Sequence, residues 1–302
     1  MPISALVVGH LVLDIKTYAT KRTSQLELGG PPAYAAICAG SLGFEVDILS
    51  KVGSDFKEHF FKQLSTNTQF IIKTSSVSTK FELIYSNNLE KERQLRLLAL
   101  APKITATDLP SGHKWDIGII APVMGEISND IVYLLREACS LLCLDPQGFC
   151  RHRLGSKVVL RKWWDQDILS CVDIIKPSFQ EAKIMTQRKN IKEICNTLLD
   201  AGPRIVLITS GAQGCHIVSS DTSKIYHAPA FPSITVVDET GAGDCFLTVF
   251  SCFYQETQNI LEAAKWATAA CSFLIESKGP QPLPGREQVE KRANLIELHT
   301  ID

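Results

Sequence analysis

No apolar run in this 302-residue chain approaches the roughly 18 residues of a helical membrane span, which argues against a membrane-embedded protein. Charge of either sign is not in excess: 31 Lys and Arg against 32 Asp and Glu leave a formal net charge of −1. Such a balance supplies no overall pull toward nucleic acid or acidic lipid. The N-terminal stretch MPISALVVGHLVLDI lacks the basic and cleavable apolar regions of a secretion signal. Ten cysteines are present without a CxxC pair, and several sit inside apolar runs (LLCLD, FSCFY, AACSF), as small buried hydrophobes do. Seven histidines show no HxxxH or HExxH spacing, so a zinc site is not expected. Neither a GxxxxGK[ST] loop nor a GxGxxG after a strand occurs, so any nucleotide chemistry needs another fold. These absences point to a reduced, cytoplasmic protein with no nucleic-acid or membrane partner.

What is present is 45% hydrophobic and 21% charged, enough to bury a sizeable core. Short apolar runs at 5–9, 46–53, 117–123, 141–145, 172–177 and 204–211 read as strands buried on both faces. Segments 31–43, 127–140 and 178–185 between them carry helical spacing. The alternation predicts an α/β fold, a three-layer α/β/α sandwich around a mostly parallel central sheet. One region breaks that rhythm. KFELIYSNNLEKERQLRLLAL (80–100) alternates on both sides of an Asn-Asn turn and predicts a hairpin. With the polar segment 14–28 it predicts a small β-sheet lid, its strands within 11–30 and 70–101 of a single domain, 1–302.

The most informative stretch is VVDETGAGDCFLTVFSCF (236–253). ITVV reads as a strand end and CFLTVFSCFYQ as an apolar helix, which puts Gly241, Ala242 and Gly243 at a strand-to-helix turn. Unobstructed amides at a helix N-terminus bind an anion, phosphate in particular. Asp244 among such amides is electrostatically odd unless it handles a proton, which makes it a candidate base for an alcohol attacking a bound phosphoryl group. A plain glycine turn with Asp244 favouring the helix N-terminus reads the same residues without chemistry.

DETGAGDCF resembles the D-T-x-G-A-G-D signature of the ribokinase-like (PfkB) carbohydrate kinase family, with Glu239 where Thr is usual. The resemblance extends over nearly the whole chain. It implies Asp244 as catalytic base, Gly241, Ala242 and Gly243 as the anion hole, and Asp238 as a holder of a monovalent cation. VVGHLVLD resembles the first strand and its acceptor-binding acid, here Asp14. LGGPPAYAA resembles the Gly-Gly signature, here Gly29 and Gly30, with Tyr34 in place of a common Asn. KPSFQEA stands for the segment whose Glu orders water around Mg²⁺, here Glu181, although Ser-x-x-Glu is equally a capping box. TSGAQGC implies Thr209, Gly211 and Gly214 as neighbours of ATP. WATAACSFLIESKGPQPLP implies Thr268 and Gly279 beside the adenine and cation sites. LDPQGFCRHR (144–153) is a weaker likeness, for which a solvated basic loop serves as well, and Arg93 and Arg96 on the hairpin either face the acceptor or form an exposed strand face. The implied cofactors are ATP and Mg²⁺, with a monovalent cation; the implied partners are a small polyol or sugar and a second copy through the lid. Tyr34, LDPQGF and KPSFQEA bring the chain nearest to the myo-inositol kinase-like branch. A nucleoside kinase and a non-catalytic ATP-binding regulator remain open; the regulator would need no base at Asp244.

Overall fold

A computed structural model describes residues 2–18, 21–64, 68–85, 94–222, 224–232 and 235–301. The strands in chain order are β1 (Ser4–Val8), β2 (Val12–Tyr18), β3 (Lys21–Gly29), β4 (Glu45–Gly53), β5 (Thr68–Ser75), β6 (Thr79–Tyr85), β7 (Gln94–Ala99) and β8 (Trp115–Ile120). They continue with β9 (Cys139–Leu144), β10 (Arg151–Leu154), β11 (Lys157–Leu160), β12 (Ile174–Ile175), β13 (Ile205–Thr209), β14 (Cys215–Ser219), β15 (Ile225–Ala228) and β16 (His299–Ile301). The helices are α1 (Pro31–Ser41), α2 (Glu58–Phe61), α3 (Asn129–Ala138), α4 (Gln147–Cys150), α5 (Gln166–Cys171) and α6 (Phe179–Thr186). After them come α7 (Ile191–Asp200), α8 (Ala242–Thr257), α9 (Ile260–Ile275) and α10 (Arg286–Ala293).

Ten strands form one sheet in the order β16-β15-β14-β13-β12-β9-β8-β1-β4-β5. It is parallel from β13 to β5 and antiparallel from β13 outward to β16. Its side chains alternate between two cores, as the period of a strand requires. In β1, Ala5 and Val7 join one core while Leu6 and Val8 join the other. In β9, Leu141 and Cys143 part from Leu142 and Leu144 in the same way. Residues of α1, α8, α9 and α10 fill the first core, and residues of α3, α5, α6 and α7 the second. The fold is therefore the expected three-layer α/β class. All ten cysteines are free thiols, and eight are buried. Among the described residues no helix is long and apolar enough to cross a membrane.

A second sheet runs in the order β10-β11-β7-β6-β2-β3. The chain enters it from β1 through Gly9 to Leu11 and leaves it at Gly29-Gly30, where Pro31 opens α1. In the hairpin of β6 and β7, Phe81 faces Leu97 and Leu83 faces Leu95. The Asn-Asn turn and Arg93 lie outside the described residues.

Several expectations differ from the structure. Strand β5 begins at Thr68 and pairs with β4, so 70–75 belongs to the large sheet. The stretch 150–153 is not a solvated loop: β10 and β11 form a hairpin that extends the second sheet beyond β7. Residues 235–237 of ITVV are not a strand. Val236 and Val237 are each 54% exposed, and the Val237 amide donates to the Ile275 carbonyl at the end of α9 (2.8 Å) rather than to a sheet. An apolar run reads as a strand only where a neighbouring strand takes its amides; here the end of a helix takes them.

Candidate active site

Strands β1, β8, β9, β12 and β13 run in parallel, so their carboxyl ends share one edge of the sheet, where open α/β sheets hold ligands. Register aligns Ile175 with Leu144, and the next residues, Lys176 and Asp145, form a buried ion pair of 2.8 Å. Burial alone would pull the Lys176 ammonium down, but Asp145, Glu181 and Asp244 more than offset that and hold it above its ordinary range.

The glycine turn stands over this pair. Gly241 has φ +83° and caps α8, and a Cβ there would meet the Tyr34 ring at 2.1 Å. A Cβ on Gly243 would come within 2.9 Å of Lys176 Nζ. Only glycine therefore lets the buried aromatic ring support the turn and the ammonium approach it. The first amides of α8 have no partner within the helix and, with Lys176 behind them, could hold an anion. Asp244 sits in the first turn of α8. Burial raises its carboxyl to about 7, Asp145 and Glu181 adding to the rise and Lys176 and Arg151 opposing it. A carboxyl that titrates there can accept a proton near neutral pH.

Asp244 and Gly241 line a pocket between the two sheets. Asp14 of β2, Gln147 of α4 and Arg151 of β10 give it polar groups, while Tyr34, Phe81, Leu83 and Leu95 give it apolar walls. Arg151 Nη1 donates to the Val123 carbonyl at 3.3 Å, and the Gln147 amide donates to Asp145 Oδ1 at 3.0 Å. Gly29 ends β3 against Asp14, where a Cβ would meet the carboxylate at 2.1 Å, and Gly30 is part of the pocket wall.

The residues expected near the donor are spread along the same edge. Thr209 ends β13, its amide bonded to the Pro177 carbonyl, and Gly211 and Gly214 bound the turn that follows. Glu181 forms both halves of a capping box with Ser178, accepting from the Ser178 amide at 2.8 Å. Thr268 does not line the pocket: it is buried in α9, and its hydroxyl has no hydrogen-bond partner among the described residues. Gly279 donates its amide to Asp238 Oδ2 at 3.2 Å. Asp238 also accepts from the Thr240 amide at 3.0 Å and from Lys16 Nζ at 2.6 Å. Among the described residues no three His, Cys, Asp or Glu side chains converge as a metal cage. Magnesium ordinarily takes one or two carboxylates plus phosphate oxygens and water, and Asp145 and Glu181 beside Asp244 fit an ion carried in by a phosphorylated donor.

Sequence reasoning missed Lys176 and Lys16 and undervalued Arg151 and Gln147. Lys176 had a legible signal: LLCLD and VDIIKP end two buried strands in opposite charges. Arg96 pairs with Glu82 across β6 and β7 and is absent from the pocket wall.

Comparison with known proteins agrees with this geometry. The model of the pfkB family carbohydrate kinases matches residues 150–286. Ribokinase of Staphylococcus aureus (strain COL) is 25% identical over 282 residues, 87% of each chain. Inositol 3-kinase of Arabidopsis thaliana is 26% identical over 283 residues, 91% of this chain and 74% of the relative. A solved structure at 26% identity and TM-score 0.81 covers 96% of this chain and 98% of its own. It is a pyrophosphate-dependent myo-inositol-1 kinase converted into a myo-inositol-3 kinase by one Asn-to-Leu and one Ser-to-Leu substitution. The fold is shared with these kinases, and the glycine turn with its acid lies within the matched segment. The likeness to the pfkB family of carbohydrate kinases spans residues 150–286, a little under half of the chain.

Proposed function

We propose that the chain transfers the terminal phosphoryl group of ATP to a hydroxyl of a cyclic polyol, with myo-inositol as the acceptor. The observation that carries this reading is the pocket between the sheets, with Asp14 and Asp244 as acids and an aromatic and aliphatic wall around them. A cyclohexane polyol has hydroxyls around its rim and C–H faces above and below, which suit Asp14 at the rim and Tyr34, Phe81 and Leu83 at the faces. In this reading 1–302 is one kinase domain, and the second sheet is a lid that keeps water from the donor. Asp244 takes the proton of the attacking hydroxyl. The first amides of α8, with Lys176 and Arg151, meet the charge on the transferring group. Thr209, Gly211 and Gly214 flank the donor. Glu181 orders water around Mg²⁺, which when bound neutralises phosphate charge.

Positions 1 and 3 of myo-inositol are mirror-related, so an enzyme chooses between them by which way it seats the ring. In the solved neighbour two substitutions of polar residues by leucine move phosphorylation from position 1 to position 3. Here a cross-strand leucine pair, Leu83 and Leu95, lines the acceptor pocket. That supports position 3 as the target. A pyrophosphate donor is the second reading, favoured by the same neighbour.

Initial rates with ATP or pyrophosphate, Mg²⁺ and matched sub-saturating myo-inositol, ribose or adenosine test the proposal, with chiral analysis of the product. We expect turnover with ATP and myo-inositol to exceed that with ribose or adenosine at least tenfold, giving the 3-phosphate. Preference for adenosine or ribose overturns the acceptor, and faster turnover with pyrophosphate overturns the donor.

A further inference from the structure

Asp238, two residues before Thr240 of the phosphate turn, is the position where the family resemblance implies a monovalent cation. The structure gives this carboxylate a different occupant. Lys16 Nζ lies 2.6 Å from Asp238 Oδ2, and the two side chains are only 4% and 10% exposed. The same ammonium lies 2.8 Å from Glu27 Oε2, and Lys278 approaches the other oxygen of Glu27 at 2.5 Å. Backbone amides complete the shell: Thr240 donates to Asp238 Oδ1 and Gly279 to Oδ2.

Among the described residues, two lysines and two carboxylates balance in charge here. A further cation placed on Asp238 would leave a net positive charge in a poorly solvated position, where an uncompensated charge is costly. Both oxygens of Asp238 already have donors. An ammonium is also a compact point charge with three donors, so it can serve two carboxylates at once, as a spherical cation would. The lysine is fixed by its strand. It follows Asp14 by two residues in β2, so both side chains stand on one face of the second sheet. Burial opposes its charge, yet Asp238 and Glu27 hold the ammonium above its ordinary range, so it stays protonated throughout the neutral region. The two acids titrate below theirs for the same reason, although burial opposes this in each.

We propose that the Lys16 ammonium is a built-in cation: it replaces an exchangeable monovalent ion at Asp238 and ties the strand that carries Asp14 to the turn that carries Gly241. Lys16 is a positioning residue; it acts on the anion site and on the acceptor strand through Asp238 and Glu27. The consequence is a protein indifferent to potassium. The inference rests on the kinase reading only where rates are measured, because the same ion pair reports itself in the stability of the unliganded protein.

The test replaces KCl by tetramethylammonium chloride at a constant ionic strength of about 0.2 M, so that screening stays fixed. Wild-type melting temperature and initial rate should both be insensitive to the exchange, the rate within about twofold, no more than a surface charge effect would give. Lys16→Met should melt several degrees lower in tetramethylammonium and turn over at least tenfold more slowly, with potassium or ammonium restoring part of both. Lys16→Arg should remain indifferent to potassium. A wild-type protein that is stabilised or activated by potassium severalfold overturns the proposal. So does a folded Lys16→Met protein that ignores potassium. Where Lys16→Met fails to fold, the wild-type and Lys16→Arg responses decide. Absence of turnover with every acceptor sinks the kinase reading instead and leaves the melting arm intact.

Discussion

Asp244 lies where an acid is least comfortable, recessed at the head of α8 with two other carboxylates nearby, and its carboxyl is pushed up to about 7. A base must be deprotonated to act, so kcat/KM for the acceptor should climb with pH through about 7 and fall tenfold per unit well below it. The same shift has the opposite consequence for stability. A carboxyl whose folded value lies above its unfolded value near 4 destabilises the native state once both forms are ionised. That penalty grows as pH rises from about 4 to about 7 and levels off above. Asp244→Asn removes the base and the penalty together. We expect turnover to drop roughly 10²- to 10⁴-fold while the unliganded protein gains on the order of 2 kcal/mol at pH 8 and little at pH 4. This figure is already reduced because solvent reaches part of the carboxylate. Rate profiles and melting curves of both proteins across that range check it. Near-normal turnover, or a variant less stable than wild type at pH 8, removes Asp244 from this role.

At the scale of elements, the catalytic edge is an accident of neighbouring strand ends, which is why it was only half legible. The strands themselves were readable because β1, β8, β9 and β13 are buried on both faces over most of their length and therefore carry nearly continuous apolar runs. The hairpin of β6 and β7 was readable because one face is apolar and the other is not. The glycine turn and Asp244 were readable because their spacing serves backbone contact that no other residue type allows. Lys176 carried a signal in the opposite charges that end LLCLD and VDIIKP, but its partner shows only once the topology sets β9 beside β12. Arg151 was misjudged for a related reason: β10 pairs with β11, and the hairpin is carried to the second sheet by joining the edge of β7, a contact between distant parts of the chain. Val236 and Val237 of ITVV failed in the reverse direction, apolar residues left at the surface. The strand-end pair makes a definite prediction. Lys176→Met leaves Asp145 buried without its partner and should cost about 3–5 kcal/mol, whereas pairing it with Asp145→Asn should recover most of that loss. Urea denaturation of the three variants measures both. Equal stability of single and double variants would mean that the pair carries no mutual dependence.

Over the whole molecule, the acids divide between two bodies of structure: Asp244 belongs to the helical layer on the large sheet, and Asp14 to the second sheet. The pocket exists only where the two meet, and the chain passes between them at Gly9 to Leu11 and at Gly29-Gly30, then again between β5 and β6, β7 and β8, β9 and β10, and β11 and β12. A polyol bound by both acids therefore bridges the sheets, whereas a donor beside Thr209 and Gly211 touches only the large one. Binding to the native state alone stabilises it by about 2.7 kcal/mol at a hundredfold excess over Kd. Asp14→Ala should then lose most of the rise in melting temperature that myo-inositol gives the wild type, yet keep the rise given by ATP with Mg²⁺. Asp14 is buried, so the variant's own melting temperature is measured first, and the ligand shifts are compared from that baseline. In turnover the same variant should show its loss chiefly as a higher KM for the polyol, with the KM for ATP within about twofold of wild type. Equal loss of both ligand shifts would place Asp14 in the general integrity of the pocket and remove it from acceptor recognition. Retention of both would move the acceptor away from the second sheet altogether.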